Sequence, residues 1–101
     1  MAMNIDTDGT IDIETVLDGS LEQLNEIVGG YIEIVPIKYQ GYVGIVCNEN
    51  GKMLGLPINH TATGMFGSQL CPFDYLVGKV IVFTEGEIKC RQVKEQWNSQ
   101  S

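Results

Sequence analysis

Positive charge is scarce in this 101-residue chain. Six Lys and Arg stand against thirteen Asp and Glu, and none of the six precedes Lys38. A net charge of −7 and an isoelectric point near 4.4 argue against a grip on duplex nucleic acid or on an anionic membrane. They suit solubility, or mimicry of a polyanion. Histidine occurs once, at His60, and the three cysteines (Cys47, Cys71, Cys90) form no CxxC pair. That leaves no zinc spacing and predicts reduced thiols in a cytoplasmic protein. No apolar run approaches the roughly 20 residues that span a bilayer. The start, MAMNIDTDG, has neither the basic nor the apolar region of a signal peptide, so no export is expected.

What is present suffices for one domain. Apolar residues make up 44% of the chain, enough for a modest core, and neither a repeat nor a low-complexity linker divides it. We place the domain at 1–93, with a polar tail at 94–101. Ile11 to Val16 alternates apolar and acidic residues, a period-two strand, and Asp8-Gly9 before it suggests a hairpin with Ala2 to Asp6. Ser20, with Gln23 in capping-box register, opens a helix whose apolar stripe is Leu21, Leu24, Ile27 and Val28. Gly29-Gly30 stops it. The next run, YIEIVPI, is a strand that sets Tyr31, Glu33 and Val35 on one face and Ile32 and Ile34 on the other. Pro36 ends it or confines it to an edge. Tyr42 to Cys47 is a central strand, and Asn50-Gly51 is expected to turn the chain back into a strand at Lys52 to Leu56. Val77 to Thr84 is a strong strand, and Glu87 to Val93 a final short one. The expected fold class is therefore α+β: a mainly antiparallel sheet with one main helix on one face and a short helix in the loop after Pro57. A single helix leaves part of a sheet face, or an edge near Val80 to Phe83, in need of cover, so a homo-oligomer, most simply a homodimer, is expected.

The segment after Pro57 draws attention because it gathers polar side chains. Pro57 removes a ladder donor and cannot continue a central strand. Asn59 is a good N-cap for one or two helical turns from His60 to Phe66. One reading is a crossover whose Asn and Thr side chains serve local backbone. The other is a ligand loop in which Asn59, His60, Thr61 and Thr63, with Tyr31 and Asn48 as neighbours, bind a small polar ligand.

Other constellations fail on their own terms. Asn4 to Asp12 matches the first nine positions of a calcium-binding EF-hand loop, but the twelfth is Thr15 rather than Glu and no entering helix has room, so no metal is expected. Cys71 or Cys47 with His60 and Asp74 lacks any positioning signature, and no phosphate-binding glycine pattern follows a strand. No catalytic residue and no cofactor is assigned, and the chain is not expected to be an enzyme.

From Leu24 to Phe83 the chain resembles a family of small proteins of phages, prophages and mobile elements that is catalogued as a domain of unknown function. The residues that carry the likeness are Val28 to Pro36 (VGGYIEIVP), Asn48 to Lys52 (NENGK), Gly55-Leu56-Pro57 with Asn59, Ala62 and Thr63, and Val77-Gly78. The family pattern often has basic residues directly after the loop Asn, where this chain has His60 and Thr61. The resemblance implies an accessory protein in the host cytoplasm. Such proteins frequently inhibit host systems, some by capturing a nucleotide signal and others by capping a host protein. Two functional expectations follow: sequestration of a small nucleotide-type signal as counter-defence, or an acidic protein–protein inhibitor or nucleic-acid mimic. The second rests on the cluster Asp6, Asp8, Asp12, Glu14 and Asp18, joined by Glu22 and Glu26.

Overall fold

The computed structural model describes residues 1–88. Its elements in chain order are β1 (Ala2–Ile5), β2 (Ile11–Thr15), α1 (Leu21–Val28), β3 (Ile32–Tyr39), β4 (Tyr42–Asn48), α2 (His60–Phe66), a 3-10 turn at Gly67–Gln69, and β5 (Val80–Thr84). The strands form one antiparallel sheet in the order β2-β1-β5-β4-β3. The expected α+β class holds.

The two apolar faces of the sheet take different covers. On one face, Leu24 and Val28 of α1 pack with Ala2, Ile32, Ile34, Val46, Ile81 and Phe83. On the other, Ala62 and Phe66 of α2 pack with Met3, Ile5, Ile37, Ile45, Val80 and Val82. The Tyr39 ring stands edge-on to Phe66, with centroids 5.2 Å apart. The short helix after Pro57 thus seals the face that α1 leaves open. The premise of an uncovered face or of an edge near Val80 to Phe83 fails for the same reason, since β5 is the central strand and its Val80 to Phe83 side chains are buried.

Local chemistry explains the joints. In the β1–β2 turn, Gly9 N–H bonds the Asp6 carbonyl and Gly9 takes φ 93°, a three-residue loop that closes on Asp6 and Thr10. The Ser20 hydroxyl accepts from Gln23 N–H at the start of α1, while the Gln23 side chain reaches past the cap to Asp18 N–H and the Val16 carbonyl. Gly29 ends α1 at φ 78°, a conformation that costs a Cβ-bearing residue about 1 kcal/mol or more. Gly30 serves differently: a Cβ there would stand 3.0 Å from Asn48 Nδ2.

Two expectations about strands need correction. Lys52 to Leu56 is a run of turns, with Leu54, Gly55 and Leu56 N–H bonding back to Asn50, Lys52 and Gly51 carbonyls. Both edges of β4 are already taken by β3 and β5, so the sheet has no slot for a return strand. The last strong strand starts at Val80 rather than Val77, because Gly78 bends the chain at φ 72°. Pro36 lies inside β3, which is an edge strand as its lost donor requires. The expected strand at Glu87 to Val93 reaches the described residues only at Glu87 and Ile88, neither of which is in a strand. Its remainder and the tail lie outside them.

Candidate functional site

A cleft of about 130 Å³ opens on the α2 side of the sheet, at the β3 end. Alternation along β3 and β4 brings Glu33, Val35 and Cys47 to its floor, and the loops at 49–52 and 74–77 form its walls. Lys52 ties those loops together. Its ammonium hydrogen-bonds the Asp74 carboxylate and lies 4.4 Å from the centre of the Tyr75 ring. The Asp74 bond holds the Lys52 ammonium above its ordinary pKa, and the same bond holds the Asp74 carboxyl below the usual carboxylate range.

Three carboxylates, Glu33, Glu49 and Asp74, therefore surround a single ammonium. Partial burial raises the Glu33 carboxyl, and the charges on Asp74 and Glu49 push it the same way. Burial pushes the Cys47 thiol up to about 12, with Glu33 adding to the shift. At neutral pH that sulfur is a buried hydrophobe whose S–H points to the Glu33 carbonyl 3.7 Å away, not a nucleophile.

Large apolar side chains stand exposed on residues within two positions of those that line this cleft. Tyr31 shares a face of the sheet with Glu33. Met53 and Leu54 follow Lys52, and Phe73 precedes Asp74. Phe73 is fully exposed and sits at φ 65°, a left-handed conformation that a bulky residue rarely adopts. Such an outlier invites a functional reading.

The six residues expected to bind a ligand do not converge. Asn59 is wholly buried. Its Nδ2 donates to the Ile5 and Gly78 carbonyls at 3.0 and 2.9 Å, and its Oδ1 accepts from Ala62 N–H at 3.0 Å. The Thr63 hydroxyl accepts from Leu76 N–H at 2.9 Å and donates to the Leu76 carbonyl. Asn48 is buried, with Nδ2 on the Val28 carbonyl and Oδ1 accepting from Asn50 N–H. Those three serve backbone. His60 is exposed, and half-buried Thr61 lies beside Gly9 of the β1–β2 turn, at the opposite end of the sheet from Tyr31. Of the six, only Asn48 lines the cleft.

The residues that resemble the calcium loop are also committed. Asp6, Asp8 and Asp12 carboxylates accept from Thr7, Thr10 and Glu14 N–H at 2.7 to 2.9 Å, and Lys79 lies 3.7 Å from Asp6. Among the described residues, no group of His, Cys, Asp and Glu could hold a metal ion, and no helix is long and apolar enough to cross a membrane.

By its architecture this is an α+β domain in three layers, with a central antiparallel sheet between α1 and α2. Its sequence motifs (Gly29-Gly30, Asn48 and Asn59) prove to be structural joints. A family model described as "Domain of unknown function (DUF3846)" matches residues 1–97, and the chain belongs to that family. No curated protein and no solved structure matches the chain.

Proposed function

We propose that this domain is a non-catalytic binding module that docks on a positively charged surface of a protein partner. The carrying observation is the pairing of exposed Phe73, Met53, Leu54 and Tyr31 with the carboxylates Glu33, Glu49 and Asp74 at one end of the sheet. Aromatic and Met anchors beside an excess of negative charge suit a protein interface with a basic partner. The phage or prophage setting implied by the resemblance makes the partner a host protein in the cytoplasm, and the domain an acidic inhibitor or nucleic-acid mimic. Pairing with a second copy through the same apolar rim is the form the expected homodimer would take.

Sequestration of a nucleotide-type signal is the weaker proposal. Asn48, Asn59 and Thr63 are engaged with backbone, the cleft is acidic, and its volume falls short of the ~300 Å³ at which small-molecule pockets begin.

Capture from host lysate tests the first reading. The protein should retain a partner at low salt and release it at high salt, while Phe73→Ser melts like the parent and retains none. No partner at either salt, or equal capture by Phe73→Ser, overturns it. Stabilisation by a nucleotide at millimolar concentration would favour the second reading.

A further inference from the structure

The outer edge of β2 lies at the opposite end of the sheet from the cleft and is independent of the reading above. Asp6 N–H bonds the Thr10 carbonyl, and the register then pairs Ile5 with Ile11 and Asn4 with Asp12. In an antiparallel ladder, facing peptide groups alternate with outward ones. Asp6/Thr10 and Asn4/Asp12 face each other, so the N–H and C=O of Ile11 point away from β1. Among the described residues, no strand lies beyond β2. Every residue from Ile11 to Glu14 is exposed, with Ile13 at 63%, and Val16 follows at 70%.

A short exposed edge is a template for another strand, and proteins commonly blunt it with charge or a bulge. Both devices are present here, and both are selective. The irregularity between Asn4 and Ala2 falls after Asp12, beyond the Ile11 peptide group. The charge is predominantly negative: Asp12 and Glu14 on the strand, Asp6 and Asp8 in the turn and Asp18 beyond it, and among the described residues Lys79 lies 3.7 Å from Asp6. A second copy pairing antiparallel here would set acidic residues against acidic residues, which destabilises a strand pair. A cationic strand meets the opposite situation.

We propose that β2 accepts an extended, basic segment of another protein as a sixth strand. Backbone bonds to Ile11 would set its register, apolar side chains would lie on Ile11 and Ile13, and Lys or Arg would lie beside Asp12 and Glu14. Strand addition of this kind draws affinity from main-chain bonds and specificity from alternate side chains.

The probe is a short peptide of alternating lysine and valine, compared with its backbone N-methylated form and with a glutamate–valine counterpart. Binding should slow hydrogen exchange at the Ile11 amide. It should weaken by about tenfold or more on N-methylation and in the charge-reversed double variant Asp12→Lys/Glu14→Lys, and the glutamate peptide should not bind. Phe73→Ser, at the other end of the sheet, should bind the lysine peptide as the parent does, whatever becomes of the rim reading. Failure of the lysine peptide to bind, equal binding of its N-methylated form, or protection that spares Ile11 overturns the proposal. So does a dimer in light scattering whose protected amides map to β2, since the occupant would then be a second copy.

Discussion

The sheet has two edges, and they are finished in opposite ways. At the β3 end, Pro36 removes a donor, and the Gln69 side chain closes on Lys38 from outside. Its Oε1 accepts from Lys38 N–H at 2.6 Å and its Nε2 donates to the Lys38 carbonyl at 3.0 Å. One amide side chain thus supplies both bonds that a neighbouring strand would make at Lys38. At the β2 end nothing comparable covers Ile11 among the described residues, and the strand carries exposed isoleucines between carboxylates. At Lys38, an edge closed by a neutral amide offers no free bond to a partner of either charge. An edge guarded by charge resists only partners of the same sign. On the proposal made above, only the β2 end keeps a preference.

The largest effect is expected from the residue that joins the β2 end to the rest. Asn59→Ala removes three buried hydrogen bonds, to Ile5, Gly78 and Ala62. A helix cap alone is worth about 0.5–2 kcal/mol, and unsatisfied buried carbonyls add about 1–3 kcal/mol, so a loss of about 3 kcal/mol is expected in denaturant melts. Native exchange should rise first at the β1–β2 amides. A loss below about 1 kcal/mol would mean that the hairpin is held without this residue.

Gln69→Ala tests the closed edge. Two hydrogen bonds to Lys38 are lost where water can replace them, so about 1 kcal/mol is expected. The Lys38 amide should exchange faster while the Ile11 amide is unchanged. Unchanged exchange at Lys38 would remove the contrast between the two edges.

Glu33→Gln probes the cleft at the β3 end. The folded state raises the Glu33 carboxyl above its unfolded value, chiefly by burial. The protonated form is therefore the one the fold prefers. Its contribution is fully present below the ordinary carboxylate pKa and is lost as pH rises through the raised value. At neutral pH, Glu33→Gln should thus stabilise slightly, within about 0.5 kcal/mol for an exposed site. The gain should vanish as pH falls below about 4, where the parent is protonated too. Destabilisation at pH 7 would mean that Lys52 outweighs burial and the neighbouring carboxylates at this position.

The smallest effect belongs to His60→Ala. His60 is exposed on the first turn of α2, and the change should move stability by no more than about 0.5 kcal/mol. A larger loss would show that the β2 end depends on a side chain that makes no direct bond among the described residues.

The fold was legible where a local rule acted alone. Ser20 with Gln23, Gly29-Gly30, the Asp8-Gly9 turn and the period-two faces of β3 all read correctly, since each is decided within a few residues. Lys52 to Leu56 was misread because Asn50-Gly51 favours a hairpin locally, whereas strand pairing elsewhere had filled both sides of β4. The site was less legible still. Asn48, Asn59 and Thr63 looked available because their backbone partners, such as Ile5 for Asn59, are distant in sequence. Lys52 and Asp74, 22 residues apart, meet only through tertiary packing, and no spacing in the chain announces them. Phe73 stood in an irregular segment with no periodicity to mark it.

Asn59 also gives the domain a path for mechanical load. Its amide bonds the last carbonyl of β1, and its backbone N–H bonds the Leu76 carbonyl at 2.8 Å. Its carboxamide oxygen holds the first turn of α2. A pull along the outer hairpin therefore passes not only through the β1–β5 ladder but also through this side chain, into α2 and into the bend at Gly78 that leads to β5. β1, on which the outer strand pairs, is anchored twice: along its length to β5, and by this strut to α2. A strand gripping β2 from outside would pull against the α2 layer as well as against its immediate neighbour.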